Sequence, residues 1–434
     1  MGHGQMLSRE YRDLARRLQK GSTAMVEPSD PTARKAWREI LEILFSPEDA
    51  ALAAQLPVVP AAAADLAKRT KRDPQALSRQ LDGMADKGLV FDMTHPRTRE
   101  KLYMLAPPVV GFFEFSLMRL ADHLPKKRLA EAYDAYMAAD ETFVREVAEA
   151  DTLIGRALVH ETALPDAATI PEVLDWEKAT AVVEAASALS LTNCFCRHKA
   201  YHLGRPCETQ MEVCLSLNDG ARFVIRHGLG RPAEKSEALE ILAASRENGL
   251  VQIADNVRSE VSYLCNCCSC CCEELGSINV FDLPVVAPSG FVDTPDAQAC
   301  TGCGRCARAC PIGAVTVERR DWHPGHEERG RMQSRVDSER CLGCGVCVGA
   351  CRRRAMAMVR RESPPYVPEN GVEFLVRRMI ERGRLADLLV TGSSRGAGFV
   401  HAVLNTLLRL PPAERLLAGE QVKSRFVRAA LSRV

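Results

Sequence analysis

Eight cysteines crowded between positions 300 and 351 constrain this chain more than any other feature. They form two runs of one spacing, Cys300-Thr-Gly-Cys303-Gly-Arg-Cys306-Ala-Arg-Ala-Cys310-Pro311 and Cys341-Leu-Gly-Cys344-Gly-Val-Cys347-Val-Gly-Ala-Cys351. A C-x2-C-x2-C-x3-C run wraps three thiolates round one face of a cubane iron–sulfur cluster and sends its fourth to another. The backbone must curl tightly between such ligands and aim amides at sulfide. Gly302, Gly304, Gly343, Gly345 and Gly349 supply residues without a Cβ there. A zinc ribbon splits its four thiolates into two separated pairs, so four in each short run favour clusters over zinc.

The two runs resemble a bacterial-type ferredoxin domain with two [4Fe-4S] clusters, over about residues 291–360. The resemblance implies that Cys300, Cys303, Cys306 and Cys351 hold one cluster and Cys341, Cys344, Cys347 and Cys310 the other. Gly313–Val317 and Ser334–Asp337 fit the short β segments of that fold. Two departures stand out. Cys351 is followed by Arg352-Arg353-Arg354 instead of proline, which sets positive charge beside one cluster, and a polar insert, Arg320–His326, lengthens the connection between the runs.

A length of 434 residues, 46% of them hydrophobic, predicts two or more domains with ample core. We divide the chain at 1–34 (helix and linker), 35–115, 116–190 (helical), 191–285 (cysteine-rich), 286–362 (ferredoxin-type) and 363–434 (helical tail). A net charge of +1 gives no global reason to bind nucleic acid or anionic lipid. No run of 18 apolar residues exists, and Met1-Gly-His-Gly-Gln has no apolar signal core, which predicts a cytoplasmic protein without a transmembrane segment. All 18 cysteines fall between Cys194 and Cys351, a clustering that suits metal or cluster ligation better than a secreted disulfide scaffold.

Residues 35–115 read as a winged helix-turn-helix. Ile40, Leu41, Ile43, Leu44 and Phe45 give an apolar helix face ending near Ser46-Pro47, and Ala61–Ala67 reads as a second helix. Asp73 suits an N-cap and Pro74 the first position of a third helix, with Leu77, Leu81 and Met84 as its buried stripe. Leu89–Met93, the turn at His95-Pro96 and Lys101–Leu105 form the wing. Gln75, Ser78, Arg79 and Asp82 would face outward, flanked by Lys68, Arg69, Lys71, Arg72, Arg97 and Arg99. That surface allows DNA binding, but Asp82 and Asp86 on it make a protein-docking module the favoured reading. The Ser/Pro/Asp-rich link before it reads as mobile. Residues 116–190 repeat Leu117, Leu120 and Leu124, then Phe143, Val144, Val147 and Leu153, at helical spacing, punctuated by Pro125, Pro165 and Pro171. His123 and His160 there read as structural.

Ten more cysteines lie in 191–285: Cys194, Cys196, Cys207 and Cys214, then Cys265, Cys267, Cys268, Cys270, Cys271 and Cys272. Core packing does not require such density, and adjacent cysteines diverge, so the last six cannot share one ion. Soft thiolates suit an additional iron–sulfur cluster, zinc or a redox-active dithiol, the cluster being favoured beside a ferredoxin module. Arg197 or Lys199 would lower the pKa of a neighbouring thiol. His198, His202 and His227 rank below the cysteines as ligands. Cys-x-Cys-Arg followed by Cys-Asn-Cys-Cys-x-Cys-Cys-Cys is similar to a group of multi-cysteine ferredoxin-like proteins, which implies a third centre. The stretch between reads as α-rich, with a helix through Ser236, Leu239 and Leu242 and a turn at Gly249 into an extended segment.

In the tail, Ser363–Pro368 reads as a stiff linker, followed by helices over Val372–Arg382 and Phe399–Leu410. Gly392–Gly398 between them lacks the Walker lysine and reads as a loop. With 11 basic and 6 acidic residues the tail would suit an acidic redox partner, although a solvated amphipathic tail is the plainer reading.

These features predict a multidomain chain, mainly α with α+β: a winged helix, a helical middle and a ferredoxin-like dicluster module. The predicted function is electron transfer as a redox subunit or adaptor that meets a redox protein partner. Two others stay open: a redox-sensing transcription regulator, and an oxidoreductase with a catalytic cysteine-rich site. No nicotinamide or flavin fingerprint and no catalytic triad is legible.

Overall fold

The helices at the start of the chain follow from their caps. In the computed structural model, which describes residues 7–95, 97–164, 174–319 and 332–389 and isolated positions between 400 and 408, Arg9–Leu18 is the first helix. Asp30 accepts from the amides of Thr32 and Ala33 and starts Pro31–Leu44, which buries Ala36, Trp37, Ile40, Leu41 and Leu44. Ser46 caps a further helix, Pro47–Ala53, that sequence reading passed over. Asp73 and Pro74 open Pro74–Asp86 as expected. Val90–Thr94 and Lys101–Leu105 then pair as an antiparallel hairpin. Ala61–Ala62 adds a third strand to it, so the helix expected from Ala61 starts at Ala63. The hairpin residue Pro96 lies outside the described residues.

One expectation about this region fails. The link before residue 35 is packed: Met25 is fully buried, Ala24 N–H donates to Glu146 at 3.0 Å, and Asp140 accepts from the amides of Ser29 and Asp30. Asp82 keeps 46% of its side chain exposed, as expected, while Lys101 and Tyr103 donate to it at 2.6 and 2.8 Å. One face of the hairpin is also covered. Phe91 packs edge-on against Phe115 and Phe223, and the buried Asp92 accepts from Arg226 and His227, which end the helix Asn218–Arg226.

The middle of the chain is less helical than its sequence suggests. Phe113–Met118, Lys126–Ala138 and Thr142–Ala148 are helices, but Gly155–Ala157 and Leu189–Asn193 are strands. Both are almost wholly buried, so the alternation that marks a half-exposed strand is missing. Pro165 and Pro171 lie outside the described residues. These strands join the cysteine-rich region in a seven-stranded sheet. Its order is Val286–Ala287, Gly155–Ala157, Val251–Asp255, Tyr263–Cys267, Glu212–Leu217, Leu189–Asn193 and Arg231–Pro232. The stretch between the two cysteine groups is therefore α+β; its expected helix is Lys235–Glu247.

The C-terminal tail is a clasp as far as it is described. Gly371–Glu381 is helical, and the fully buried Arg378 donates to the carbonyls of Thr152 at 2.6 Å and Val147 at 3.2 Å. Arg384 reaches Glu146 at 2.9 Å and the carbonyl of Gly21, 363 positions earlier, at 3.3 Å. The expected linker is docked too, with Val367 and Pro368 buried and the carbonyl of Pro368 accepting from Arg258 N–H. Gly392–Gly398 and most of Phe399–Leu410 lie outside the described residues. No helix among the described residues is long and apolar enough to cross a membrane.

Two outcomes follow. Arg378→Ala leaves two carbonyls without donors in a dry site, and should cost about 3 kcal/mol in anaerobic denaturant melts. Burial pushes the pKa of His227 down, but hydrogen bonds and charge from Asp92 and Asp86 win and raise it. A raised folded pKa stabilises fully below the ordinary value of about 6.5 and loses that contribution as pH climbs through the folded value. Melting temperature should thus fall as pH rises above about 6.5, and His227→Gln should flatten that slope.

Candidate metal centres

The described residues of 291–360 form two antiparallel ribbons and two short helices. Phe291–Pro295 pairs with Met356–Arg360, and Val315–Arg319 with Met332–Val336. Arg305–Ala309 and Val346–Ala350 each follow a glycine of left-handed φ, Gly304 and Gly345. The two halves repeat at the offset that separates Cys300 from Cys341. Cys300 N–H donates to the Asp296 carbonyl and Cys341 N–H to that of Asp337, both at 2.9 Å. Ala314 N–H points at Cys310 Sγ and Ala355 N–H at Cys351 Sγ, both at 3.2 Å. Glycine is demanded by close approach at Gly343, where φ is +62° and a Cβ would lie 2.0 Å from the Phe291 carbonyl oxygen. Gly302 repeats the arrangement against Met332. The insert Arg320–His326 lies outside the described residues.

The halves differ in what faces their thiols. Ser334 Oγ lies 3.0 Å from Cys306 Sγ and 3.6 Å from Cys300 Sγ. The position that repeats it, Asp293, sets a buried carboxylate 3.5 Å from Cys341 Sγ. Burial raises the pKa of Asp293. Burial, reinforced by its charge, pushes Cys341 up to about 11 and Cys344 and Cys347 higher still. Cys310 contributes to the same shift at Cys344, so it stands near that group. Exposure differs as well. Cys341, Cys344 and Cys347 are buried, and the Cys344 carbonyl accepts from His160 N–H at 3.0 Å. Cys303 is exposed, and the amide and charge of Arg305 lower its pKa. Sequence reading missed Asp293 and Ser334; their equal distance ahead of Cys300 and Cys341 was the available signal.

The other ten cysteines sort into two groups. Cys265 and Cys267 alternate to one face of Tyr263–Cys267, and the pairing of Leu215 with Leu264 brings Cys214 alongside Cys265. Cys194 and Cys272 sit at the N-caps of the helices Phe195–His202 and Glu273–Phe281, and Cys196 lies in the first turn of the former. Electrostatic interactions link these six thiols in a closed order, a ring in the sense of neighbours only: Cys194 with Cys196 and Cys214, Cys196 with Cys272, Cys272 with Cys267, Cys267 with Cys265 and Cys265 with Cys214, the sulfurs of Cys267 and Cys272 lying within 4.8 Å of each other. Hydrogen bonds between neighbours pull Cys194 and Cys272 well down and Cys265 to about 6, and push Cys196, Cys214 and Cys267 up. The second group is Cys207, Cys268, Cys270 and Cys271, whose four sulfurs all lie within 4.8 Å of one another.

Arg197 stands between the groups. It is buried, donates to the carbonyls of Asn266 at 2.9 Å and Gln210 at 3.2 Å, and leaves its Nε without a partner. Burial works against its charge, but Cys194, Cys268 and Cys214 raise its pKa strongly. Lys199 does not serve the thiols: it pairs with Glu273 at 2.5 Å. Nor do the histidines lie among them. His198 Nδ1 bonds the Leu117 carbonyl, His202 bonds His198, and His227 bonds Asp86 and Asp92. Glu114 and Glu274, unremarked in the sequence, are half-buried carboxyls near the ring. Burial raises both, Glu114 to about 7.

The module of two repeated halves defines an iron–sulfur cluster-binding domain. Residues 299–355 match the family described as the 4Fe-4S dicluster domain. No curated protein and no solved structure matches the chain.

The glycines give a paired test. Gly343→Ala should lower anaerobic iron content, since a Cβ there collides with the Phe291 carbonyl and distorts the turn between Cys341 and Cys344. Gly349→Ala, whose Cβ meets nothing within 4 Å, should leave iron unchanged.

Proposed function

We propose that this chain is an electron-transfer protein. In it Cys300, Cys303, Cys306 and Cys351 hold one [4Fe-4S] cluster, and Cys341, Cys344, Cys347 and Cys310 the other. A further metal centre lies among the cysteines of 194–272. The donor set suits the group. Backbone amides point at Cys310 and Cys351 sulfur, and among the described residues neither set of four is drawn into the tight cluster that a single ion would need. Bound clusters of this kind supply reversible one-electron chemistry.

One observation carries the reading. The helix Glu273–Phe281 starts at Cys272, and its far end is held against the dicluster domain. Asn279 Nδ2 donates to the Pro311 carbonyl at 3.0 Å, Arg340 donates to that of Ile278 at 3.1 Å, and Arg340 pairs with Asp282. Nine helical residues at 1.5 Å each span about 14 Å. One rigid element thus spaces the cysteine-rich region from the Cys310 end of the module. Elsewhere in the module Cys303 is exposed, as are Arg308 after it and Arg352, Arg353 and Arg354 after Cys351. These exposed arginines suit an acidic redox protein as partner, with association that weakens as salt rises.

We read the N-terminal helices and three-stranded sheet as a winged helix used for docking, because its hairpin is packed against Phe223, Arg226 and His227. Exposed Gln75, Arg79, Lys68 and Lys71 keep the regulator as a second reading. Its sign would be salt-sensitive, sequence-specific duplex binding that changes on oxidation. All 18 cysteines are free thiols, which suits the reducing cytoplasm.

Redox titration of anaerobic protein, followed by electron paramagnetic resonance, tests the proposal. Two reversible one-electron transitions are expected. Asp293→Ser, which gives the second half the residue of the first, should raise the midpoint of one transition only, because a buried carboxylate disfavours an added electron. Absence of any reversible transition in iron-loaded protein would overturn the assignment.

A further inference from the structure

The sulfur ring of Cys194, Cys196, Cys272, Cys267, Cys265 and Cys214 has too many donors for one ion and the wrong shape for two. A tetrahedral ion bonded at about 2.3 Å draws its four thiolates to about 3.8 Å from one another. The neighbouring group of Cys207, Cys268, Cys270 and Cys271 comes near that, with three of its sulfur pairs at 3.6 Å and all four sulfurs within 4.8 Å of one another. Among the described residues no three ring sulfurs do: the one tight group there is Cys267 and Cys272 with Glu274. Two ions sharing bridging thiolates would also need compact sets, one round each ion. Six thiols linked neighbour to neighbour offer no compact set of thiolates to hold an ion at about 2.3 Å. The ring therefore suits something larger than an ion.

The surroundings suit a buried polyanion, the nearby carboxyls Glu114 and Glu274 being pushed by burial toward their neutral form. Two helix N-termini meet the ring at Cys194 and Cys272, and Glu273 N–H points at Cys196 Sγ at 3.5 Å. Arg197 supplies a buried guanidinium on the Cys194–Cys214 side and separates the ring from the compact group. The strands that carry Cys214, Cys265 and Cys267 are paired in the central sheet, so half the donors are fixed by backbone register.

We propose that this six-thiolate ring cradles a polynuclear iron–sulfide centre, distinct from the dicluster domain and from the four-cysteine group, which takes a single metal ion. The inference rests on the iron–sulfur reading of the chain and deepens it. The ring thiolates would each bond an iron of a sulfide-bridged core, with Arg197 offsetting part of its charge.

The test is a count of iron, acid-labile sulfide and zinc on the full chain purified anaerobically, with resonance spectra of the dicluster domain recorded alongside. Wild-type protein should carry clearly more sulfide than the roughly eight that two [4Fe-4S] clusters hold. The pair Cys214→Ala/Cys265→Ala should lower sulfide to about eight and leave the dicluster spectrum intact. Cys270→Ala should remove one metal ion and no sulfide. Wild-type sulfide of about eight or fewer, with the dicluster spectrum present, would overturn the proposal without depending on whether any variant folds. Loss of zinc alone from the ring variant would overturn it too. Excess sulfide that survives in protein lacking the dicluster spectrum would support the ring and count against the electron-transfer reading.

Discussion

A thiolate inside a protein persists only if its charge is met, and this chain buries thiols at a density that makes the constraint general. Burial alone pushes a thiol toward its neutral form. Each cysteine group here answers differently: backbone amides in the ferredoxin-like halves, helix N-termini at Cys194 and Cys272, and one guanidinium, Arg197, between ring and compact group. The remaining architecture supplies the rigidity these answers need. The seven-stranded sheet fixes Cys214 against Cys265, and the hydrophobic core runs unbroken from Phe195 through Leu275 and Ile278 to Leu342 and Val346.

The near-symmetry of the dicluster domain makes its one asymmetry informative. Equivalent positions hold Asp293 in one half and Ser334 in the other, and equivalent loops hold a buried Cys344 and an exposed Cys303. The half with the carboxylate is the one tied to the chain's own sheet through His160 and to the helix that starts at Cys272. Inside and outside are thus chemically distinct ends of a single module.

What the sequence disclosed depended on whether its signal was local. The cysteine spacing, the Asp73-Pro74 cap and the Pro74–Asp86 stripe are read within a few residues, and all reappear in the structure. Gly155–Ala157 and Leu189–Asn193 were invisible because strands buried on both faces show no alternation. The packed link and the C-terminal clasp were missed because their partners, Glu146 and Thr152, are remote in sequence. Sorting ten cysteines into six and four was beyond any linear reading. Neighbours Cys267 and Cys268 part ways only because the strand ends between them.

The clasp has a consequence for how the protein is made. Arg378 and Arg384 seal residues 146–152 and Gly21 from the far end of the chain. A ribosome must carry synthesis past Arg384 before that seal can close, since long-range contacts form only once both partners exist. Every cysteine, Cys351 included, has been synthesised before Arg378, so the order of translation leaves an interval in which the thiols are all present and the clasp is still open. Metal loading can therefore begin while residues 146–152 are still unclasped, and the clasp then closes on a chain whose thiols have already had that interval.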